Sequence, residues 1–233
     1  MKNDDKNRLI IGLTSIFVYF FFNLFSSSLL SLIGINVKNL SKTKSMIISL
    51  GVSIVVLIIL FLINKKRLSK NLKDYKKNYK VLIKRNFKYW MCAIFIMFVT
   101  NIAIALIFNR ITSANDQGIR EIFNVFPLYI VLEAMILAPF TEELIFRESI
   151  RNIFKNKYLF IIISGLLFGF MHTLASLESL ADYLYIIPYS VPGFFFAYML
   201  YEEDNVLVPI TFHAFHNSIA IVLLLLSKIL GIM

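Results

Sequence analysis

Glu142 and Glu143 stand side by side in an otherwise apolar stretch, and Arg147 follows Glu143 by four residues. His172, His213 and Asn217 lie further on, in later apolar segments. Ionised groups are costly inside a bilayer, so an intramembrane carboxylate marks a functional site by default. The set holds a candidate base, two imidazoles, a carboxamide and a guanidinium. A carboxylate can draw a proton from water, and imidazole and amide donors can hold the oxyanion of an attacked carbonyl. That is the chemistry of amide-bond hydrolysis. The plainer readings are a buried polar lock made by the Glu-Glu-Arg group, a core imidazole at His172, and interhelical hydrogen bonds at His213 and Asn217.

Spacing sorts these groups. Glu143 and Arg147 are i,i+4, share a helix face and can pair. Glu142 points about 100° away and has no local partner, so it is the expected base, with Glu143 and Arg147 in support. Pro139 removes one helix hydrogen bond just ahead of the acids. A kink or restart is expected there, with Thr141 as N-cap and both glutamates at the positive end of the new dipole. If the chain turns at 155–157, Glu142 and His172 lie at ~1.5 Å per residue about 20 Å from the same membrane face. Gly165 and Gly169 form a small-xxx-small pair that permits close helix contact. Phe168 shares the face of His172 and reads mainly as packing. His213 and Asn217 are i,i+4 and face one way; His216 reads as structural.

These residues need helices to carry them. The chain is 58% hydrophobic over 233 residues, with a mean hydropathy of +0.75, well above soluble usage. An all-α polytopic transmembrane bundle of about seven to eight helices is expected. Apolar windows near the ~20 residues that cross hydrocarbon fall at 9–33, 46–63, 89–109, 124–139, 158–175, 184–201 and 206–230. The first is long and lacks a small-residue cleavage site, so it reads as a retained helix. Residues 65–88 hold eleven Lys or Arg and one acid, Asp74, while the rest balances at thirteen against thirteen. This is expected to be a cytoplasmic basic loop touching anionic lipid, not a nucleic-acid site. It can be partly helical, with Leu82, Ile83 and Phe87 on lipid. The N-terminus is then cytoplasmic too. The acidic segment 176–183 suits the outer side, while Glu202, Glu203 and Asp204 fit poorly on the cytoplasmic side. The single Cys92 excludes an intrachain disulfide and reads as packing. The chain divides into N-terminal helices over 1–118 and a core over 119–233, within one membrane unit.

Three motifs carry a resemblance. Glu142-Glu143-Leu-Ile-Phe-Arg147 matches EExxxR, Phe168-Gly-Phe-Met-His172 resembles FxxxH, and His213-Ala-Phe-His-Asn217 resembles HxxxN. In this order they resemble the CAAX-protease and bacteriocin-processing (CPBP, or Abi) family of intramembrane proteases, over about 120–226. The resemblance implies that Glu142 with His172 activates water, that Glu143 and Arg147 support it, and that His213 and Asn217 stabilise the tetrahedral intermediate. The family's core runs to an eighth helix, one more than the seven spans above.

Such proteins are commonly described as metalloproteases, and Glu142, His172 and His213 would meet the ligand count of catalytic zinc. There is no HExxH, however, and ligation by Glu142 would leave the paired Glu143 as base. A metal-free, glutamate-type hydrolase is the favoured expectation, without cofactor. Its substrate would be a peptide or lipid-anchored protein: CAAX-type, or a bacteriocin or signal peptide. Richness in Lys, Asn and Ile hints at an AT-rich bacterial genome, hence a bacterial cell membrane. The alternative is a non-catalytic bacteriocin self-immunity or scaffolding protein. A small transporter is weaker, since no inverted repeat is visible.

Overall fold

A computed structural model describes residues 3–109, 112–174, 177 and 179–231, and every regular element among them is helical. Helix α1 is Asn3–Leu32, α2 Lys42–Ile63, α3 Lys65–Phe108 and α4 Ala114–Val125. A helical run over 127–153, here α5, carries the two glutamates. Helix α6 is Lys157–Thr173, α7 Leu180–Leu184, α8 Ile186–Glu203 and α9 Leu207–Ile229. Five stretches are long and apolar enough to cross a membrane: α1, α2, α3, Leu180–Glu203 and α9. With α5 and the shorter apolar α6 they make an integral membrane, all-α bundle, as expected. Helices α4 and α7 are the short elements beyond the seven spans. Of the acidic segment 176–183, residues 176 and 178 lie outside the described residues, as does residue 175 at the end of the fifth expected span.

The basic segment is not a loop. Residues 65–88 form the first half of α3, continuous with the span that follows. No glycine or proline interrupts 65–108, so helix propensity carries through the charge run. Leu82 is buried against Trp90, Phe196, Met199, Val208 and Phe212, with Ile83 packed alongside. Of the three residues expected on lipid, only Phe87 is exposed. Cys92 is exposed as well, not packed inside. A single residue, Asn64, separates α2 from α3; its amide donates to Leu60 O and Ser15 Oγ.

The acids at 202–204 have an explanation in this helix. Arg67 pairs with Asp204 at 2.6 Å and with the buried Glu148 at 3.1 Å. Arg85 pairs with Glu203, and Lys157 reaches Glu202 at 2.6 Å. The acids therefore sit among the bases rather than across the membrane from them. Hydrogen bonds from Arg67 hold the Asp204 carboxyl below its usual range, against the opposing effect of partial burial.

Helix α5 does not restart at Pro139. It stays helical from 127 to 153 but opens into two π-helical stretches, Glu133–Leu137 and Glu143–Ser149. Thr141 lies inside the helical segment Ala138–Glu142 and caps nothing. The proline is absorbed by a change of register: Ala138 donates its N–H to Glu133 O, five residues back. The wider turn relieves the clash that a proline ring makes with the carbonyl four residues earlier. In the second stretch Ile150 donates to Arg147 O, while hydroxyls reach other carbonyls, Ser149 Oγ to Leu144 O at 2.8 Å and Ser164 Oγ to Phe146 O.

Helix α6 packs tightly on α8 because Gly165 and Gly169 face it. A Cβ on Gly165 would meet the Phe194 ring at 2.1 Å; one on Gly169 would meet Ser190 Oγ at 2.1 Å and Ile186 O at 2.6 Å. Apolar side chains of α2, α5, α6 and α8 form the main core around Leu60, Leu144, Phe160 and Leu200.

Candidate active site

The turn between α5 and α6 falls where expected. Helix α5 ends at Ile153, and Asn156 caps α6 by accepting from Tyr158 N and Leu159 N. The two antiparallel helices bring Glu142 and His172 to one level, with Glu142 Oε2 3.9 Å from His172 Nε2. Helix α9 adds His213, whose Nε2 lies 3.8 Å from the same oxygen. Glu142 and His172 retain 19% and 23% side-chain exposure, whereas His213 retains 4%.

Each ring is oriented by its other nitrogen. His172 Nδ1 lies 2.8 Å from Phe168 O. A carbonyl only accepts, so Nδ1 carries the hydrogen and the neutral ring presents a lone pair at Nε2. His213 Nδ1 lies 2.8 Å from Glu143 Oε1, and the same reasoning makes it a donor to that carboxylate. Glu143 Oε2 pairs with Arg147 Nε at 3.0 Å, both side chains fully buried. The Arg147 guanidinium lies over the Phe168 ring, 4.2 Å from its centroid, with Phe196 at 5.4 Å. Phe168 also touches His172, centroids 4.3 Å apart. The polar lock of the plainer reading and the candidate site are thus one structure: Arg147 holds Glu143, Glu143 holds His213, and Glu142 is left facing both imidazoles.

Two cavities meet at Glu142. The larger, about 730 Å³, is lined by Glu142, His172, His213, His216 and Asn217 with apolar residues such as Ile130, Ile221 and Leu224. The smaller, about 420 Å³, runs between α1 and α2 past Ser26, Ser45, Ser49 and Ser53. Glu133, Ala138 and Glu142 line both. His216 is therefore on the cavity wall rather than elsewhere in the packing. It is three residues from His213, and i,i+3 positions share a helix face; comparison with Asn217 alone hid that. Sequence reasoning also passed over Glu133, which accepts from Ser53 Oγ at 3.0 Å, although the rule for carboxylates in apolar spans applies to it equally. Tyr189, stacked on His172 with centroids 5.2 Å apart, left no signal in the sequence. Asn217 lines the same cavity, and its Nδ2 donates to Ala134 O at 2.8 Å.

Two imidazole nitrogens and a carboxylate are zinc donors in kind. A tetrahedral ion with bonds of about 2.0–2.1 Å would hold them about 3.3 Å apart, whereas Glu142 Oε2 stands 3.8 and 3.9 Å from the two nitrogens. Among the described residues no group of three His, Cys, Asp or Glu is placed to hold a metal ion. As placed, Glu142 stands about 0.5 Å further from each nitrogen than a shared zinc ion would hold it.

Fold and site together define a polytopic helical membrane protein with a glutamate–histidine centre inside its bundle. Residues 124–219 match the family described as type II CAAX prenyl endopeptidase Rce1-like, and the three motifs fall within this segment. An uncharacterised protein of Mycoplasma capricolum is 32% identical over 224 residues, covering 88% of this chain and 64% of that protein. YdiL of Bacillus subtilis, whose name marks it as a proposed membrane peptidase, is 30% identical over 114 residues, covering 48% of this chain and 43% of its own. YxdF of Lactococcus lactis, a UPF0177 protein, is 29% identical over 168 residues, 70% of this chain and 88% of its own. The chain thus spans less than two thirds of the first of these relatives and less than half of the second. No solved structure matches it.

Proposed function

We propose that this chain is an intramembrane endopeptidase that hydrolyses a peptide bond with water activated by Glu142. One observation carries the reading: the Glu142 carboxylate faces two imidazole Nε2 atoms at 3.8 and 3.9 Å inside a cavity of the bundle. Those separations are too long for direct hydrogen bonds and leave room for a bridging water. Glu142 accepts one proton of that water, and His172 Nε2 accepts a hydrogen bond from the other. The oxygen then attacks the carbonyl carbon. His213, held through Nδ1–H on Glu143, turns its Nε2 towards the reacting oxygen, and with a proton on that nitrogen it donates to the oxyanion. Collapse of the intermediate breaks the C–N bond, and Glu142 returns its proton to the leaving amine. Asn217, to which the resemblance gives a share of the oxyanion, donates one amide hydrogen to Ala134 O.

The substrate is a membrane-associated peptide or lipid-anchored protein. The larger cavity has apolar walls that suit a greasy segment, and the serine-lined cavity gives water a separate approach to Glu142. No metal takes part, since Glu143 is committed to Arg147 and His213 and cannot serve as base while Glu142 ligates. The basic half of α3, Lys155, Lys157 and the N-terminal end of α1 gather at one end of the bundle, which supports a cytoplasmic N-terminus. Composition points to a bacterial membrane.

The test is cleavage by purified full-length protein in vesicles, using membrane peptides that accumulate in a deletion strain. Glu142→Gln keeps the shape and removes the base, so it should reduce cleavage by at least about 10³-fold; protein of wild-type activity would overturn the proposal. If protection of cells survives Glu142→Gln, the non-catalytic immunity reading takes over. Chelators should leave the rate unchanged, and stoichiometric zinc needed for activity would refute the metal-free mechanism.

A further inference from the structure

We infer that Asn217 is a positioning residue, which closes a gap in the backbone of α5 and thereby fixes the helix that aims Glu142. In a regular α-helix Ala134 O would accept from Ala138 N–H, but that group donates to Glu133 O. In the π register the donor would be residue 139, five positions on, and Pro139 has no N–H. Both registers therefore leave Ala134 O without its backbone donor. A carbonyl left without its partner in a partly buried position costs more than an average hydrogen bond contributes, and Ala134 and Asn217 both lie on the wall of the larger cavity. Asn217 Nδ2 reaches it from α9 at 2.8 Å. The bond ties α9, which carries His213, to the turn five residues before Pro139, and Glu142 follows Pro139 by three. In the second π-helical stretch side chains also reach backbone carbonyls, Ser149 Oγ bonding Leu144 O and Ser164 Oγ bonding Phe146 O. The catalytic consequence rests on the hydrolase reading; the bond itself does not.

The test is a double-mutant cycle on the full chain in detergent micelles, with Asn217→Ala and Pro139→Ala. Alanine at 139 restores an N–H, and in either helical register the backbone can then satisfy Ala134 O. Asn217→Ala should lower the unfolding midpoint by about 3–6 °C in the wild-type background and by less than about a third of that with Pro139→Ala. Turnover should follow the same pattern, with the loss caused by Asn217→Ala at least about ten-fold smaller in the Pro139→Ala background. An oxyanion donor behaves differently: it costs about 10²–10³ in kcat, equally in both backgrounds, with the midpoint unmoved, and that outcome would overturn the inference. Positioning through Glu142 should also displace the acid limb of the kcat/KM pH profile in Asn217→Ala, which a purely structural bond would leave in place. If Pro139→Ala does not fold, infrared spectra of protein labelled with 1-¹³C-alanine read the carbonyl directly. The difference spectrum of Asn217→Leu, which adds no labelled alanine, should show one alanine band moved to higher frequency, and its absence would refute the bond. If no variant and no wild-type protein cleaves any peptide, the hydrolase reading fails while the midpoint and infrared results still decide the role of Asn217.

Discussion

Glu143 is the most heavily engaged residue of the site. It pairs with Arg147 through one oxygen and receives the His213 Nδ1 hydrogen on the other, with no exposed side-chain surface. The i,i+4 spacing announced the pair with Arg147, and the second contact was not legible, because it joins residues seventy positions apart. The two adjacent glutamates should therefore differ in what the same substitution does to stability. Glu142→Gln removes a partly exposed carboxylate that faces a cavity, and its unfolding midpoint should match wild type. Glu143→Gln leaves the buried Arg147 charge uncompensated, which costs about 3–5 kcal/mol and releases His213 as well. Replacing both partners with apolar groups, Glu143→Leu with Arg147→Met, should cost less stability than Glu143→Gln alone, while activity stays lost because His213 is no longer oriented. Chemical unfolding in micelles beside a cleavage assay separates these outcomes. Equal stability of Glu142→Gln and Glu143→Gln would mean that the buried pair does not hold the site.

At the scale of elements, the site depends on how closely α6 approaches α8. Gly165 and Gly169 both face α8, but their neighbours differ in kind. The atoms nearest a methyl on Gly165 belong to the Phe194 ring, a side chain that can turn aside, whereas one on Gly169 would meet the backbone Ile186 O at 2.6 Å and Ser190 N at 2.8 Å. Gly169→Ala should therefore push α6 outward and carry His172 away from Glu142, cutting turnover by at least about ten-fold, in line with the large cost of ~1 Å misplacements. Gly165→Ala should be milder in both activity and stability, and a reversal of that order would contradict the packing. The glycine pair was legible because small residues four apart have a single obvious use in a membrane helix. The continuity of α3 was legible as well, in its lack of helix breakers, but the charge of 65–88 pointed towards a loop. The two π-helical stretches were not. Pro139 marks a disturbance in the sequence, yet whether a helix stops, kinks or widens there depends on partners elsewhere. Asn217 and Ser164, on α9 and α6, are such partners and bond to carbonyls of α5 in or beside those stretches.

Across the whole molecule, one end of the bundle is held by charge. Arg8 of α1 donates to Asn152 at 3.1 Å, Lys155 meets Asp5 at 2.6 Å, and Arg67 joins α3 both to Glu148 of α5 and to Asp204 after α8. Most of these pairs are exposed and individually worth little. Arg67 is different because the Glu148 side chain retains only 3% exposure, so loss of the arginine strands a buried carboxylate between the N-terminal helices and the segment that carries Glu142. Arg67→Ala should destabilise the protein by about 3 kcal/mol or more, and Lys73→Ala, on the same basic helix without an ion-pair partner among the described contacts, by less than about 0.5 kcal/mol. Acid probes the Asp204 half of the same clasp. Its carboxyl is held below the usual range by hydrogen bonds from Arg67, so its contribution is complete above the unfolded value of about 3.9 and is lost as pH falls through the lower folded value. Between pH 7 and 5 this pair should leave stability unchanged. Lowering the pH from 4 towards 2 should destabilise wild type more than Asp204→Asn, which cannot titrate there. Parallel acid unfolding curves for the two proteins would show that Asp204 plays no part in joining α3 to the rest of the bundle.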